Sequence, residues 1–156
     1  MSKSVLVTGA SGHVGGALVR ELVENGYHVR ASVRDPMDAA KTDALKKLQA
    51  EVVKADLFDP ASLDAACTGM DGVFQVAAIY DLAPSDAVQA RIMTETGTLG
   101  MANVLNAAKK AGVGRIVLTS SVVTIAPVAP GQPAASEDSW VSDTSVTYIE
   151  EKSSGE

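Results

Sequence analysis

The sequence predicts an open α/β sheet, parallel and wound with helices on both faces. Short β-branched runs recur at residues 4–8, 27–33, 51–55, 72–77 and 115–120, each about the length of a buried strand. Helix-period stretches at 14–24, 37–49, 60–67 and 87–111 separate them. Strand then helix, repeated, is the pattern of a parallel sheet covered on both sides. The first strand also runs straight into a glycine loop and a helix, over residues 5–16.

Length and charge set the bounds. A chain of 156 residues buries enough surface for one domain, expected here over residues 1–156. With 46% hydrophobic and 21% charged residues it is neither a disordered tail nor a fibre. Thirteen basic against 19 acidic side chains leave a net charge of −6, which argues against a nucleic-acid partner, since that affinity rests on clustered Lys and Arg. Cys67 is the only cysteine, so no internal disulfide forms, and neither histidine offers metal-ligand spacing with it. No metal site is expected. The apolar run at residues 5–7 is too short for a signal-peptide core, and no stretch reaches the roughly 18 apolar residues of a membrane span. A soluble, cytoplasmic protein is the expectation.

The elements, taken in order, carry the candidate site. Gly9, Gly12 and Gly15 frame the loop after the first strand, with Ser11, His13 and Val14 between them. Glycines there permit a tight turn and let backbone N–H groups approach a pyrophosphate at a positive helix N-terminus. His13 reads as a solvent-facing loop residue rather than a catalytic base. The second strand ends at Arg34 and Asp35. An acid at that tip binds ribose hydroxyls, whereas an arginine accommodates a 2′-phosphate; the bland alternative is an arginine in solvent. After the third strand, Asp56 is by itself an ordinary loop carboxylate, and Asp59 before Pro60 reads as a helix N-cap. The fourth strand runs out into Ala77 and Ala78, small residues that either pack plainly or leave room for a flat ligand.

The fifth strand delivers Thr119, Ser120 and Ser121 to its carboxyl end. A serine there can donate to a substrate carbonyl, though adjacent serines are commonly turn chemistry. Residues 125–147 read as a long irregular segment of the kind that faces substrate or moves. Residues 148–156 read as the first turns of a helix that is cut rather than capped. On it, Tyr148 and Lys152 stand at i and i+4 and point the same way. A nearby ammonium favours the phenolate and brings a phenol toward general acid–base work. That spacing alone is common in surface pairs.

The run Thr8-Gly9-x-x-Gly12-x-x-Gly15 departs from the commoner dinucleotide fingerprint and resembles the extended short-chain dehydrogenase/reductase family. Residues 33–36, Val-Arg-Asp-Pro, are similar to the dihydroflavonol-reductase-like branch. The resemblance continues through the alanines closing the fourth strand, through residues 103–113, and through the order of Ser121, Tyr148 and Lys152. Gly97 and the pair Gly100-Met101 depart from the family pattern, which removes the asparagine often found there.

The resemblance implies a Rossmann-type doubly wound parallel sheet, truncated before the last strands and the substrate region. It implies NADP as cofactor, with NAD less favoured: Lys41 would assist Arg34, Asp56 and Leu57 would meet the adenine, and Ala77 and Ala78 would line the cofactor. Ser121, Tyr148 and Lys152 become the catalytic set, with Tyr148 and Lys152 also holding the cofactor's ribose. The implied activity is reduction of a ketone or aldehyde by hydride transfer, on a small-molecule carbonyl or alcohol substrate. The alternatives are an NAD-dependent sugar-nucleotide epimerase or dehydratase, and a non-catalytic NADP-binding module. A homodimer through helices such as 87–111 is a further implication.

Overall fold

The computed structural model describes residues 2–81, 84–136 and 138–142. Along them run β1 (Ser4–Val7), α1 (His13–Glu24), β2 (His28–Val33), α2 (Ala39–Lys47), β3 (Glu51–Lys54), α3 (Pro60–Cys67), β4 (Gly72–Gln75), α4 (Ala87–Glu95), α5 (Met101–Lys110) and β5 (Arg115–Leu118). They fall into two compact units, residues 2–77 with 102–119 and residues 78–101 with 120–142.

The first unit is built on a five-stranded sheet in the order β3-β2-β1-β4-β5. Every pairing is parallel, with Val7 opposite Ala31 on one side and Phe74 on the other. Side chains alternate across a strand, and β1 sorts the core accordingly. Val5 and Val7 pack with Val19 and Leu22 of α1 and Leu45 of α2. Leu6 faces the other way, into Leu63 and Cys67 of α3 and Val104, Ala107 and Ala108 of α5. One central strand buried on both faces explains its unbroken apolar run and yields the expected Rossmann-type layering. Burying a Leu or Val side chain contributes roughly 1.5–3 kcal/mol, so the fully buried Leu6 and Val7 anchor both layers. Cys67 is inert there: burial and the nearby Asp64 push its thiol up from its ordinary value, against a smaller opposing pull from Arg30.

Local chemistry accounts for the helix ends. Pro60 opens α3 and the Asp59 carboxylate accepts the Ser62 N–H at 3.3 Å, as the sequence predicts. β4 and β5 are each two residues shorter than expected. At β4 the ladder stops because the N–H groups of Val76 and Ala77 turn to the Thr8 hydroxyl instead of a neighbouring strand.

In the second unit α4 starts at Asp86, whose carboxylate accepts from the amides of Val88 and Gln89. The single helix expected over 87–111 is not regular: Thr96–Gly100 forms a π-helical turn before α5 begins. Two of its five residues are glycine, a poor helix former. The hydroxyls of Thr94, Thr96 and Thr98 each donate to the carbonyl four residues back, at 3.3, 2.7 and 2.8 Å, competing with the regular ladder. The segment expected to be irregular from residue 125 is tied by an antiparallel bridge between Ile125 and Trp140. Ala126 N–H donates to Ser139 C=O and Val141 N–H to Thr124 C=O across it. The terminal helix expected from residue 148 lies outside the described residues. Among the described residues no helix is long and apolar enough to cross a membrane.

Candidate cofactor site

The glycine loop joins β1 to α1, and its three glycines do different work. Gly9 has φ +63°, the left-handed region that suits glycine, and a Cβ there would lie 2.8 Å from the Cα of Ala77. Gly15 is buried in the first turn of α1, and a Cβ there would lie 2.2 Å from the carbonyl oxygen of Gly9. These two allow helix, strand end and β4 tail to close on one another. Gly12 is exposed, with an ordinary φ of −81°, and caps α1 without a side-chain hydrogen bond. The first turn of α1 carries no acidic residue. Its leading amides, including those of His13 and Val14, therefore stand at the positive end of the helix with no intrahelical acceptor. Ser11, Gly12, His13 and Val14 are all exposed around that end. A phosphate fits such a cradle, because a backbone without side chains can approach it closely.

The tip of β2 sorts its charges. Asp35 does not extend as a free acid: its carboxylate accepts the Met37 N–H at 2.9 Å and closes the turn into α2. Arg34 beside it is exposed, and among the described residues no carboxylate pairs with it. Lys41 is exposed as well, 3.2 Å from the carboxylate of Asp38 at the start of α2.

Beyond β3, one oxygen of Asp56 accepts the Phe58 N–H at 2.9 Å, and the Asp56 N–H donates to the Ser62 hydroxyl at 3.0 Å. Leu57 packs at the edge of the core under α3 and α5, and its carbonyl accepts from the Asn103 amide at 2.8 Å. Asn103 thus ties α5 to the turn that presents Asp56. In the sequence it stood out as a polar residue one position before the buried Val104, at the head of the stretch 103–113.

At the end of β4, Thr8 and Gln75 form a buried polar clasp that sequence reasoning missed. The Thr8 hydroxyl donates to Gln75 Oε1 at 2.5 Å and accepts the N–H groups of Val76 and Ala77 at 3.0 and 3.1 Å. Gln75 Nε2 donates to the Ala77 carbonyl at 2.9 Å. A glutamine inside a run of strand-forming apolar residues was the available signal, because a buried amide must find partners. Ala77 therefore meets the glycine loop at Gly9, in the first unit; Ala78, which begins the second, is exposed.

Ser121 belongs to the second unit, half-buried, where it caps a short 3₁₀ turn over Val122–Thr124. Its hydroxyl accepts the Val123 N–H at 3.4 Å and its carbonyl accepts from the Thr124 hydroxyl at 2.8 Å. Tyr148 and Lys152 lie outside the described residues. Among the described residues no group of His, Cys, Asp and Glu is placed to hold a metal ion. A groove of about 630 Å³ opens between Ser4, His28 and Glu51, at the amino ends of β1, β2 and β3. Its Arg30 is fixed by Glu51 at 2.9 Å and by the carbonyls of Ala66 and Thr68. Ligands of such sheets sit at the opposite, carboxyl ends.

The chain is similar to known proteins in sequence and fold. A family described as NAD(P)H-binding matches residues 9–155. Dihydroflavonol 4-reductase of Zea mays is 41% identical over 143 residues, covering 88% of this chain and 40% of the relative. Cinnamoyl-CoA reductase 1 of Oryza sativa subsp. japonica is 40% identical over 121 residues, covering 75% and 34% respectively. A solved short-chain dehydrogenase/reductase superfamily protein from Agrobacterium tumefaciens, with bound NAD, superposes with a TM-score of 0.77 at 30% identity, covering 97% of this chain and 42% of that one. The chain thus spans about two fifths of the length of the first of these relatives.

Proposed function

The chain belongs to the NAD(P)H-binding family, in the dihydroflavonol-reductase-like branch of the extended short-chain dehydrogenase/reductases, and on that premise we propose that it serves an NADP-dependent reduction of a small ketone or aldehyde. The observation that carries this reading is the uncapped, acid-free start of α1 behind a glycine turn. A dinucleotide fits there, with its pyrophosphate on the amides of α1 around Gly12. Its adenosine end runs toward the tip of β2, with Asp56 and Leu57 near the adenine.

Preference for the 2′-phosphate follows from the same tip. The acid that would hold ribose hydroxyls is engaged by Met37, while Arg34 stands exposed with Lys41 close by in sequence. A planar guanidinium suits a phosphate better than an ammonium does.

When bound, a reduced nicotinamide supplies hydride to the carbonyl carbon. In this reading the Ser121 hydroxyl donates to the carbonyl oxygen and withdraws charge as it develops. Tyr148 gives that oxygen its proton, and Lys152 lowers the phenol toward a working range and holds ribose hydroxyls. Ala77 and Ala78 keep the floor under the cofactor free of bulk. A lone buried Cys67 suits a reducing, cytoplasmic setting. The resemblance extends the reading to a homodimer.

Calorimetric titration with NADPH and with NADH tests the binding half, and NADPH is expected to bind much more tightly. A carbonyl panel with Tyr148→Phe tests the chemistry: turnover should vanish and cofactor binding survive. Equal turnover in that variant overturns the role of Tyr148, and binding of neither nucleotide overturns the reading.

A further inference from the structure

Thr8 is 1% and Gln75 2% exposed, so their hydrogen bonds are made out of reach of water. Every side-chain polar atom of Gln75 has a partner, and the clasp fixes both the N–H and the C=O of Ala77. The Gln75 backbone is held too, since its carbonyl accepts the Thr119 N–H at 3.0 Å. Apolar replacements would have filled this volume without demanding these four hydrogen bonds. A polar clasp adds geometry, because buried hydrogen bonds tolerate little displacement.

That geometry lies at the topological switch of the sheet. From β1 the strand order grows outward through β2 and β3 on one side and through β4 and β5 on the other. Ligands of such sheets lie in the crevice this reversal opens. One wall is the start of α1; the other is the tail of β4, where Ala77 stands against Gly9. A dinucleotide with its adenosine at β2 and its pyrophosphate on α1 must carry its nicotinamide half across β1 toward that second wall. We infer that Gln75 is a positioning residue for the nicotinamide half of the cofactor, acting through Thr8 and the backbone of Ala77. The inference rests on the cofactor reading above and adds to it a residue that touches no ligand.

The experiment uses the 156-residue chain, with two probes: NADPH, and adenosine 2′,5′-bisphosphate, which lacks the nicotinamide half. Gln75→Leu keeps the approximate shape and removes both hydrogen-bonding groups. It should raise the dissociation constant for NADPH about tenfold or more while leaving that for the bisphosphate within about twofold. Thr8→Ser retains the hydroxyl and should bind both probes like the parent chain. Where Gln75→Leu does not fold, Gln75→Asn, too short to reach Thr8 and Ala77 together, is read in the same way. Equal loss of both probes in a folded variant, or no loss of either, overturns the inference and leaves the cofactor reading standing. A parent chain that binds neither probe overturns both.

Discussion

The Cα of Ala77 lies 2.8 Å, and its N 2.9 Å, from the position a Cβ on Gly9 would take. The contact is backbone on backbone, so no rotamer change relieves it. Gly9→Ala also forces an L residue to φ +63°. Strain of that kind costs about 1–3 kcal/mol before the collision is counted. Gly15→Ala meets an even shorter distance, 2.2 Å to the Gly9 oxygen, again backbone. Both variants should lower the urea midpoint strongly or fail to fold. Gly12→Ala, whose Cβ meets only the Gly9 oxygen at 3.2 Å, should fold with a small loss. Equal stability of all three variants would refute this division of labour.

Gly12→Ala should nevertheless weaken cofactor binding. Gly12 is exposed at the start of α1, where backbone approach to a phosphate is the reason for a glycine and an added methyl group would crowd that approach. An increase in the NADPH dissociation constant of about tenfold or more is expected, roughly the value of one good phosphate contact. Unchanged affinity in this folded variant would move the phosphate away from the loop.

Arg34 should discriminate between the two nicotinamide cofactors. Charge-assisted hydrogen bonds contribute about 1.5–3 kcal/mol, so Arg34→Ala should cost NADPH roughly ten- to a hundredfold in affinity. NADH lacks the 2′-phosphate and should bind as before. Because Arg34 is exposed, the preference should shrink as salt rises. Parallel losses for both cofactors would mean that Arg34 supports the β2 tip and reads no phosphate.

How far the sequence carries depends on the range of the interaction concerned. Periodicity locates β1 to β5 and the helices between them because each apolar face is a local pattern, and Asp59 caps α3 through a contact three residues away. The end of β4 is different. It is set by a hydroxyl on Thr8, 68 residues before Val76, and within residues 72–77 only the out-of-place Gln75 hints at it, without naming its partner. The same holds for Asn103, which reaches back 46 residues to Leu57. The π turn at Thr96–Gly100 was written locally, in threonines and glycines, but an apolar period read across it smooths it away. Of the site, the glycine loop and the Arg34 tip were legible as motifs. The engagement of Asp35 by Met37 needed the backbone of the turn.

Gln49→Gly should stabilise the fold. Three helices end alike, with crossed hydrogen bonds over a left-handed residue. After α1 that residue is Gly26, φ +80°, with Tyr27 N–H on Leu22 C=O; after α5 it is Gly112, φ +72°, with Val113 N–H on Ala108 C=O. After α2 the same place is held by Gln49, φ +62°, with Ala50 N–H on Leu45 C=O. A side chain there costs roughly 1–2 kcal/mol that glycine does not, partly offset by glycine's greater freedom in the unfolded chain. A net gain of about 0.5–1 kcal/mol is expected, as a higher urea midpoint at unchanged slope. A lower midpoint would mean that the Gln49 side chain contributes more through its contacts than its backbone loses.

Acid should loosen α4 through Asp86. The N–H of Gln89 chiefly holds this carboxyl below its ordinary value; desolvation opposes the shift, and the Val88 N–H and the Ser85 side chain add smaller contributions in its favour. Both amides sit 2.9 Å from one carboxylate oxygen. A carboxyl whose folded pKa is depressed binds its proton more readily when unfolded. Its contribution is therefore complete above the unfolded value of about 4 and is lost as pH falls through the folded value. Asn also caps helices, without a titrating group. Asp86→Asn should thus leave α4 nearly as stable at neutral pH while flattening its acid limb, and Asp86→Ala should weaken the helix across the whole range. Amide exchange in α4, compared between parent and Asp86→Asn in steps from neutral pH downward, reads the difference directly. Parallel profiles would place the acid sensitivity of this helix on another group.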